Sequence, residues 1–480
     1  MSKYEDILNI ATKRGFFFPS GEIYSVKSGF WTYGHLGTLM KHKFESLWRD
    51  LFLKLSDNYF EIEDVNILSK EVFQSSGHLE HFNDPLTECS KCKSKFRADE
   101  LIEDELDKNA MGLKEKELDR IIKENSLKCP KCRGKLLGVK FFNMMFDLKV
   151  GATGNDIMYL RPETAQSPYI AFKKEFMALR EKIPLGLAVV GKAFRNEISP
   201  RQGFFRLREF TQAELQIFFD PNNFKVEFDK VKNYKLKIMN KEVKCSELKL
   251  PHWYAYHMAK VQAFYLDILK IPKEKFRFRE LDEKERAFYN KIHYDIEINL
   301  EALNGWKEVA GVHYRGDHDL KRHKIEINIE GKKFHPHVLE LSFGVDRNIL
   351  ALLDIFYKKE KERELFLFNK NIAPIEIAVF PLVNKDKLPE RAVEIYNELK
   401  KGYSVFYDCK GSIGKMYRRM DEIGCPLMIT IDHQTLKDKT VTLRDIKTMK
   451  QIRVKENKLK ETIEKFFSGE KLSNLGKIIS

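Results

Sequence analysis

Residues 194–214 read FRNEISPRQGFFRLREFTQAE, with four arginines and three glutamates set among phenylalanines. Arginines this close repel one another unless an anion or carboxylates lie between them, and the guanidinium fork matches phosphate oxygens through charge-assisted hydrogen bonds. Pro200 and Gly203 are turn formers, with KAFRNEI leading in and FFRLREFTQAELQIFF leading out, so an antiparallel hairpin is expected. Alternate residues of a strand share a face, which groups Arg195 with Glu197, and Arg206 with Arg208 and Phe210. A ring beside arginines suits a stacked base whose phosphates need cations. The same residues also allow a surface hairpin laced with cross-strand ion pairs.

No GxxxxGK[ST] loop and no GxGxxG after a strand occurs, so a bound nucleotide would have to lie on an antiparallel sheet, held by arginines. From Phe141 to about Leu353, short runs such as LAVVGKAF, AELQIFF, HKIEINIE and HVLELSFG alternate with a few helices, the pattern of an antiparallel α+β core. Beyond the polar hinge KKEKERELFLFNKNIAP the rhythm changes. IEIAVFP, YSVFYD, PLMITID and KTVTLRD read as strands, and LPERAVEIYNELKKG and SIGKMYRRMDEIG as helices, giving a small α/β domain with a partly parallel sheet. Two or three domains fit the 480-residue length.

Ahead of these parts, Cys89 with Cys92 and Cys129 with Cys132 form two CxxC knuckles around a charged, helix-rich stretch. Four thiolates are what tetrahedral structural zinc needs, and a closed four-thiolate site leaves no position for a reactive water. Cys245, Cys409 and Cys425 are isolated and read as ordinary core residues. The net charge of +14 and pI of about 9.1 suit a polyanionic partner such as nucleic acid, although a lysine-rich surface also serves solubility. The N-terminus lacks an apolar signal core, and no apolar run approaches the ~20 residues that span a bilayer. With cysteines placed as metal ligands, a cytoplasmic protein without membrane contact is expected.

The arginine-rich segment resembles motif 2 of the class II aminoacyl-tRNA synthetases, and FRNEISPRQG…RLREFTQAE is similar to its form in the glycyl-tRNA synthetase family. HPHVLELSFGVDRNILALL resembles motif 3, with Arg347 as its arginine. RGFFFPSGEIY…YGHLG, SGHLEHFNDPLTEC, YLRPETAQSPYIAF and GWKEVAGVHYRGDHDLKRH match further segments in the family's order. So does DCKGSIGKMYRRMDEIGCPLMITIDHQTLKDKTVTLRDIKTMKQIRV, which resembles its anticodon-binding domain. Nearly the whole chain is covered, and the archaeal and eukaryotic-type homodimeric form fits. The chain departs from the family's YGPLG at His35, from ETAQG at Ser167 and from EPSFG at Leu341, where a backbone N–H returns. None of these removes a charged ligand.

The resemblance implies an α+β fold: a class II synthetase antiparallel-sheet catalytic core with a zinc-knuckle insertion, plus a C-terminal α/β anticodon-binding domain. Residues 1–85 would be the first part of the core and 86–140 the zinc-binding helical insertion. Residues 141–367 would be the remaining core, with 221–285 a second insertion, and 370–480 the anticodon-binding domain. The reaction implied is activation of glycine by ATP, with Mg2+, to glycyl-adenylate and pyrophosphate, then transfer to the 3′ end of tRNA(Gly) by a homodimer.

Carried over residue by residue, Arg195 would bridge the α-phosphate and the amino-acid carboxylate. Asn196, Glu197, Phe205, Arg206, Leu207, Arg208, Phe210, Glu308, Val309, Gly344 and Arg347 would make the rest of the ATP site. Within it Glu197 would accept from the adenine amino group and Arg206 would hold the outer phosphates. Phe210 and Arg347 would sandwich adenine, and Glu308, with Glu340, would hold magnesium. Glycine has no side chain to grip, so its pocket can only hold the ammonium and carboxylate and exclude bulk. Glu163, Glu214 and Glu340 are the implied ammonium ligands; Ser342 shares the strand face of Glu340 and narrows the pocket, and Arg97 would close over the carboxylate. Lys415, Arg418 and Arg419, on one helical turn, suit contact with tRNA backbone or anticodon, and equally the solvated basic face of an amphipathic helix.

Two other functions stay open on sequence alone. A class II synthetase for threonine, proline or histidine would carry other residues at RPETAQ and LELSFG. A non-catalytic, synthetase-like nucleic-acid-binding protein would have lost the arginines that stand here as Arg195, Arg206 and Arg347.

Overall fold

The computed structural model describes residues 2–479 apart from 26, 111, 201, 202, 284 and 288. The expected hairpin forms: Leu185–Phe194 (β2) lies antiparallel to Glu209–Phe219 (β3), with Leu185 opposite Phe218 and Phe194 opposite Glu209. It sits inside a nine-stranded sheet whose other members are Tyr59–Glu61 (β1), Lys235–Ile238 (β4), Lys241–Lys244 (β5), Phe276–Glu280 (β6), Ile292–Leu300 (β7), Gly305–Gly316 (β8) and His337–Gly344 (β9). Their order is β5-β4-β6-β7-β8-β9-β3-β2-β1, and the pairs β1–β2 and β4–β6 are the two parallel ones.

The two-residue period of the central strands gives the sheet two unlike faces. Ala213, Leu215, Ile217 and Phe219 of β3, Leu339, Leu341 and Phe343 of β9, and Val312 of β8 bury themselves on one side. There they meet Phe44, Trp48 and Phe52 of helix α2 (His35–Phe52) and Ile349 and Leu352 of helix α7 (Val345–Phe356). Each of the larger aliphatic and phenylalanine side chains contributes about 1.5–3 kcal/mol by leaving water. The residues between them, Gln212, Glu214, Gln216, Glu340 and Ser342, are polar and face the other way. A polar face on a buried sheet has to be satisfied by partners, and that requirement builds the site.

Residues 221–285 do not form a core of their own: β4, β5 and β6 extend the central sheet, and Trp253, Tyr254 and Met258 of helix α6 (His252–Ala263) join its apolar cluster. The cysteine-bearing stretch does have a separate cluster. Leu101 and Ile102 of helix α3 (Ala98–Leu106) meet Leu118 and Ile122 of helix α4 (Glu115–Glu124) beside Cys89 and Cys129. Helix α5 (Gln166–Ala178) follows, its Tyr169 and Phe172 packed on Phe218.

The C-terminal strands are Ile377–Pro381 (β10), Val405–Tyr407 (β11), Leu427–Ile431 (β12), Thr440–Asp445 (β13), Gln451–Lys455 (β14) and Lys477–Ile478 (β15). They run in the order β11-β10-β12-β13-β14-β15, with β10 parallel to β11 and β12 and the rest antiparallel, the partly parallel sheet expected. Helix α8 (Leu388–Leu399) covers one face, while Met416, Met420 and Ile423 of helix α9 (Ile413–Ile423) belong to the apolar cluster of the large sheet. Glu422 also pairs with Arg14 of helix α1 (Lys3–Arg14) at 2.5 Å. No helix among the described residues is long and apolar enough to cross a membrane.

Candidate active site

On the polar face of β3, β8 and β9 lies a cavity of about 170 Å³. Glu163, Arg195, Glu197, Phe205, Arg206, Leu207, Phe210, Glu214, Glu308, Val309, Glu340, Ser342, Gly344 and Arg347 all line it. They come from four separate stretches of the sequence. Arg97, Asn196 and Arg208 do not line it, each for a visible reason. The Arg97 guanidinium is taken up by Asp99 at 2.6 Å and Asp84 at 3.2 Å. Arg208 donates to the main-chain carbonyls of Glu197 and Ser28. The backbone N–H of Asn196 is bound to Met144 O.

The alternation expected around the hairpin tip is absent, because β2 ends at Phe194 and β3 begins at Glu209. Arg201 and Gln202 of the expected turn lie outside the described residues. Among the described linking residues Gly203–Phe205 form a short helical turn, and Arg206 Nε donates to Glu197 at 2.9 Å and Nη1 to Glu100 of α3 at 2.5 Å. Arg195 is held differently. Its Nε donates to Pro162 O at 3.0 Å, its guanidinium lies between the rings of Phe82 (5.4 Å) and Phe210 (5.2 Å), and no carboxylate of the described residues pairs with it. An arginine stacked between two rings, with donors unspent, is preorganised for an anion. Arg347 lies 5.1 Å from the Phe205 ring and 3.2 Å from the half-exposed Glu308 carboxylate. Asp346 ties this end together, accepting from Thr211 N at 2.5 Å and Tyr33 OH at 2.6 Å.

The buried end is acidic. Glu163, Glu214 and Glu340 are all under 9% exposed. Glu214 accepts from Thr164 Oγ1 and Ser342 Oγ, both at 2.6 Å, and from Gln212 Nε2 at 2.9 Å. Glu340 accepts from Gln216 at 2.8 Å and from Arg315 at 3.2 Å. Arg315 also approaches Glu163 at 3.9 Å, but its fork is committed to Asp319, at 2.8 and 2.9 Å. Glu163 and Glu340 therefore share what Asp319 leaves of one guanidinium. Burial, reinforced by the neighbouring Glu214 and Glu163, pushes Glu340 up to about 8 against the pull of Arg315. Burial and Glu163 also raise Glu214. For Glu163 burial acts in the same sense but is outweighed by His78 at 3.5 Å, by Arg315 and by Gln166, which hold it well below the carboxylate range. Burial thus favours a proton on Glu340 until a cation arrives, and an ammonium is the cation these oxygen acceptors fit.

The structure accommodates the three departures. Ser167 accepts from Arg161 Nη1 at 3.3 Å, Leu341 is fully buried in the ladder between Leu215 and Val312, and the His35 ring packs over Gly15. On the C-terminal helix, Arg419 is bonded to Asp408 and Arg418 to Glu362 O, so the expected basic face has two of its three cations already engaged.

The four cysteines converge. All Sγ atoms lie within 4.8 Å of one another, with Cys89–Cys132 at 3.5 Å and Cys92–Cys129 at 3.6 Å. Zn–S bonds of ~2.3 Å need sulfurs ~3.8 Å apart in a tetrahedron, so the cluster fits zinc. Lys93 and Arg133 turn the two knuckles with φ near 58°. A Cβ at Gly134 would stand 2.9 Å from Cys89 Sγ, so the cradle needs glycine there.

The fold and the cavity can be set beside known proteins. A model described as the tRNA synthetase class II core domain (G, H, P, S and T) matches residues 148–356, and one for the anticodon binding domain matches 376–466. A glycine–tRNA ligase of Thermococcus gammatolerans is 37% identical, covering 98% of this chain and 99% of its own length. The chain belongs to the glycine–tRNA ligase family. Members from Pyrococcus horikoshii (38%, covering 97% of the chain and 99% of the relative) and Methanothermobacter thermautotrophicus (34%, 96% and 99%) support this family assignment. A crystal structure of prolyl-tRNA synthetase from Cryptosporidium parvum, complexed with L-proline and AMP, has the same fold at 13% identity, with TM-score 0.62 over 96% of this chain and 74% of that one.

Sequence reasoning missed the residues that control the acidic end. Arg315 and Asp319 stood in a segment quoted for the family resemblance, and their i,i+4 spacing was the available signal. His78 and Gln212 gave none, since each acquires its meaning only when β3 and the segment before β2 come together.

Proposed function

We propose that this chain is a glycine–tRNA ligase that condenses glycine with ATP to glycyl-adenylate and pyrophosphate, then passes glycine to the 3′ end of tRNA(Gly). The observation that carries the reading is the polarity of one cavity: ring-stacked Arg195 at one end and three buried carboxylates at the other. That arrangement matches a zwitterion whose ammonium faces Glu163, Glu214 and Glu340 and whose carboxylate faces the arginine. Held so, the carboxylate is aimed at an α-phosphate bound by Arg195, and charge growing on the phosphate oxygens meets fixed donors.

In this reading Arg206 takes the outer phosphates, exchanging Glu100 for them, and Phe210 and Arg347 enclose adenine, with Phe205, Leu207, Val309 and Gly344 lining its place. Glu197 accepts from the adenine amino group. Glu308 is the half-exposed carboxylate suited to a hydrated Mg2+, which supplies charge neutralisation of the phosphates when bound. Glu340, already committed to Arg315 and Gln216, serves the ammonium better than the metal. Ser342 braces Glu214 and narrows the pocket. Arg97 is assigned to holding the insertion through Asp84 and Asp99, and Asn196 and Arg208 to shaping the loop.

The domain limits 1–85, 86–140, 141–367 and 370–480, structural zinc at Cys89, Cys92, Cys129 and Cys132, a homodimer and a cytoplasmic location complete the proposal. Charging of a tRNA(Gly) transcript with labelled glycine tests it. Acid-precipitable glycine dependent on ATP is expected, and folded protein that charges no tRNA would refute it.

A further inference from the structure

Four strands present one row of residues to the acidic end of the cavity: Asp295 of β7, Gly311 of β8, Ser342 of β9 and Glu214 of β3 stand side by side in register. Gly311 contributes no side chain to this row, and Ser342 is turned onto Glu214. Left at that, the sheet would have a hole beside the carboxylates large enough for more than a hydrogen. The hole is filled from the next row. The imidazole of His313 folds back along β8, so that a Cβ at Gly311 would lie 2.1 Å from its Nε2.

Its position is fixed on several sides. The ring lies against His293 with centroids 4.1 Å apart and planes tilted by 36°, Nδ1 lies 3.1 Å from Asn290 Nδ2, and Nδ1 is 3.7 Å from Glu340 Oε1. His293 in turn lies 2.9 Å from Asp295, and Asn290 reaches both rings. A ring clamped this way cannot swing aside for a larger substrate without breaking these contacts.

The geometry points to His313 as a specificity-determining residue, the wall that closes the amino-acid pocket at the substrate's α-carbon. This rests on the glycine-activating reading and deepens it: the carboxylates select an ammonium, and His313, more than Ser342, rejects whatever carries a side chain. Exclusion by a wall is steric and is lost when the wall shrinks, whereas a hydrophobic pocket distinguishes one methylene by only ~10–200-fold.

The test is ATP–pyrophosphate exchange by full-length protein with glycine, L-alanine and L-serine, for wild type, His313→Ala and His313→Asn. Asparagine is shorter than histidine but keeps a polar group for Asn290, so it covers the case in which the alanine variant fails to fold. The alanine-to-glycine ratio of kcat/KM is expected to rise at least about tenfold in a folded variant, with the KM for ATP unchanged. Glycine-specific exchange by the wild type with no rise in that ratio in folded variants would overturn this inference alone. No exchange by the wild type with any amino acid would overturn the reading of the reaction, and this inference with it.

Discussion

Arg315 Nη1 stands 3.2 Å from Glu340 Oε2, yet burial and the neighbouring carboxylates still push Glu340 up to about 8. The guanidinium is the natural counter-ion of the acidic end and is insufficient for it, because Asp319 takes the two-pronged contact. A neutral acid beside an ionised Glu163 leaves a pocket short of one positive charge. On the proposed reading, the missing charge is that of the substrate ammonium.

A pH dependence of known sign follows. Below about pH 8 the free protein holds a proton on Glu340, and binding an ammonium expels it, so glycine binding tightens as pH rises toward 8. The KM for glycine should fall between pH 6 and 8, by up to about tenfold per unit for a single linked proton. Glu340→Gln should bind more weakly and lose the slope. The linkage also bears on stability: between pH 4.5 and about 8 the native state keeps a proton that the unfolded chain has lost, so this group's contribution to stability declines through that window. A glycine KM that is flat from pH 6 to 8 in the wild type would contradict the assignment.

Glu163→Gln removes the carboxylate of the three that His78, Arg315 and Gln166 hold well below the usual range. A hydrogen bond to a charged group is worth about 1.5–3 kcal/mol, so the glycine KM should rise roughly ten- to a hundredfold while the ATP KM holds. Kinetics with each substrate varied separate the two; equal increases would point to a general loss of structure.

The contact between Arg206 and Glu100 predicts competition. If Arg206 takes the outer phosphates as proposed, ATP displaces a carboxylate that is 45% exposed, and a partly exposed pair contributes about 0–1 kcal/mol. Glu100→Gln should therefore tighten ATP by up to about fivefold, while Arg206→Ala should weaken it. Calorimetric titration of ATP decides this, and weaker ATP binding by Glu100→Gln would contradict it.

Metal analysis should find one zinc per chain. Because Cys89 and Cys129 belong to the same small cluster as Leu101, Ile102, Leu118 and Ile122, chelation should open α3 and α4 to protease while the nine-stranded sheet stays protected. Metal-free protein with a protease-resistant insertion would exclude a structural ion.

Much of this was legible in the chain. The α+β class, the hairpin, the partly parallel C-terminal sheet and the two knuckles follow from period, turn residues and cysteine spacing, which are local signals. What escaped was set by distance in sequence. That Arg208 would spend itself on the main-chain carbonyls of Glu197 and Ser28, and Arg97 on the Asp84 carboxylate as well as that of its neighbour Asp99, depends on what the fold brings alongside. The strand rule failed at Arg195–Arg208 because the ladder stops at Phe194 and resumes at Glu209. Docking of Met416, Met420 and Ile423 against the catalytic sheet's cluster was likewise invisible, since an amphipathic helix does not name its partner.

The most direct test is ATP–pyrophosphate exchange by the purified, zinc-loaded chain, without tRNA, across the amino acids, with Arg195→Ala beside the wild type. Exchange supported by glycine alone, and abolished in a folded Arg195→Ala, is the predicted result. Exchange with another amino acid, none at all from folded protein, or full exchange without Arg195 would contradict the account.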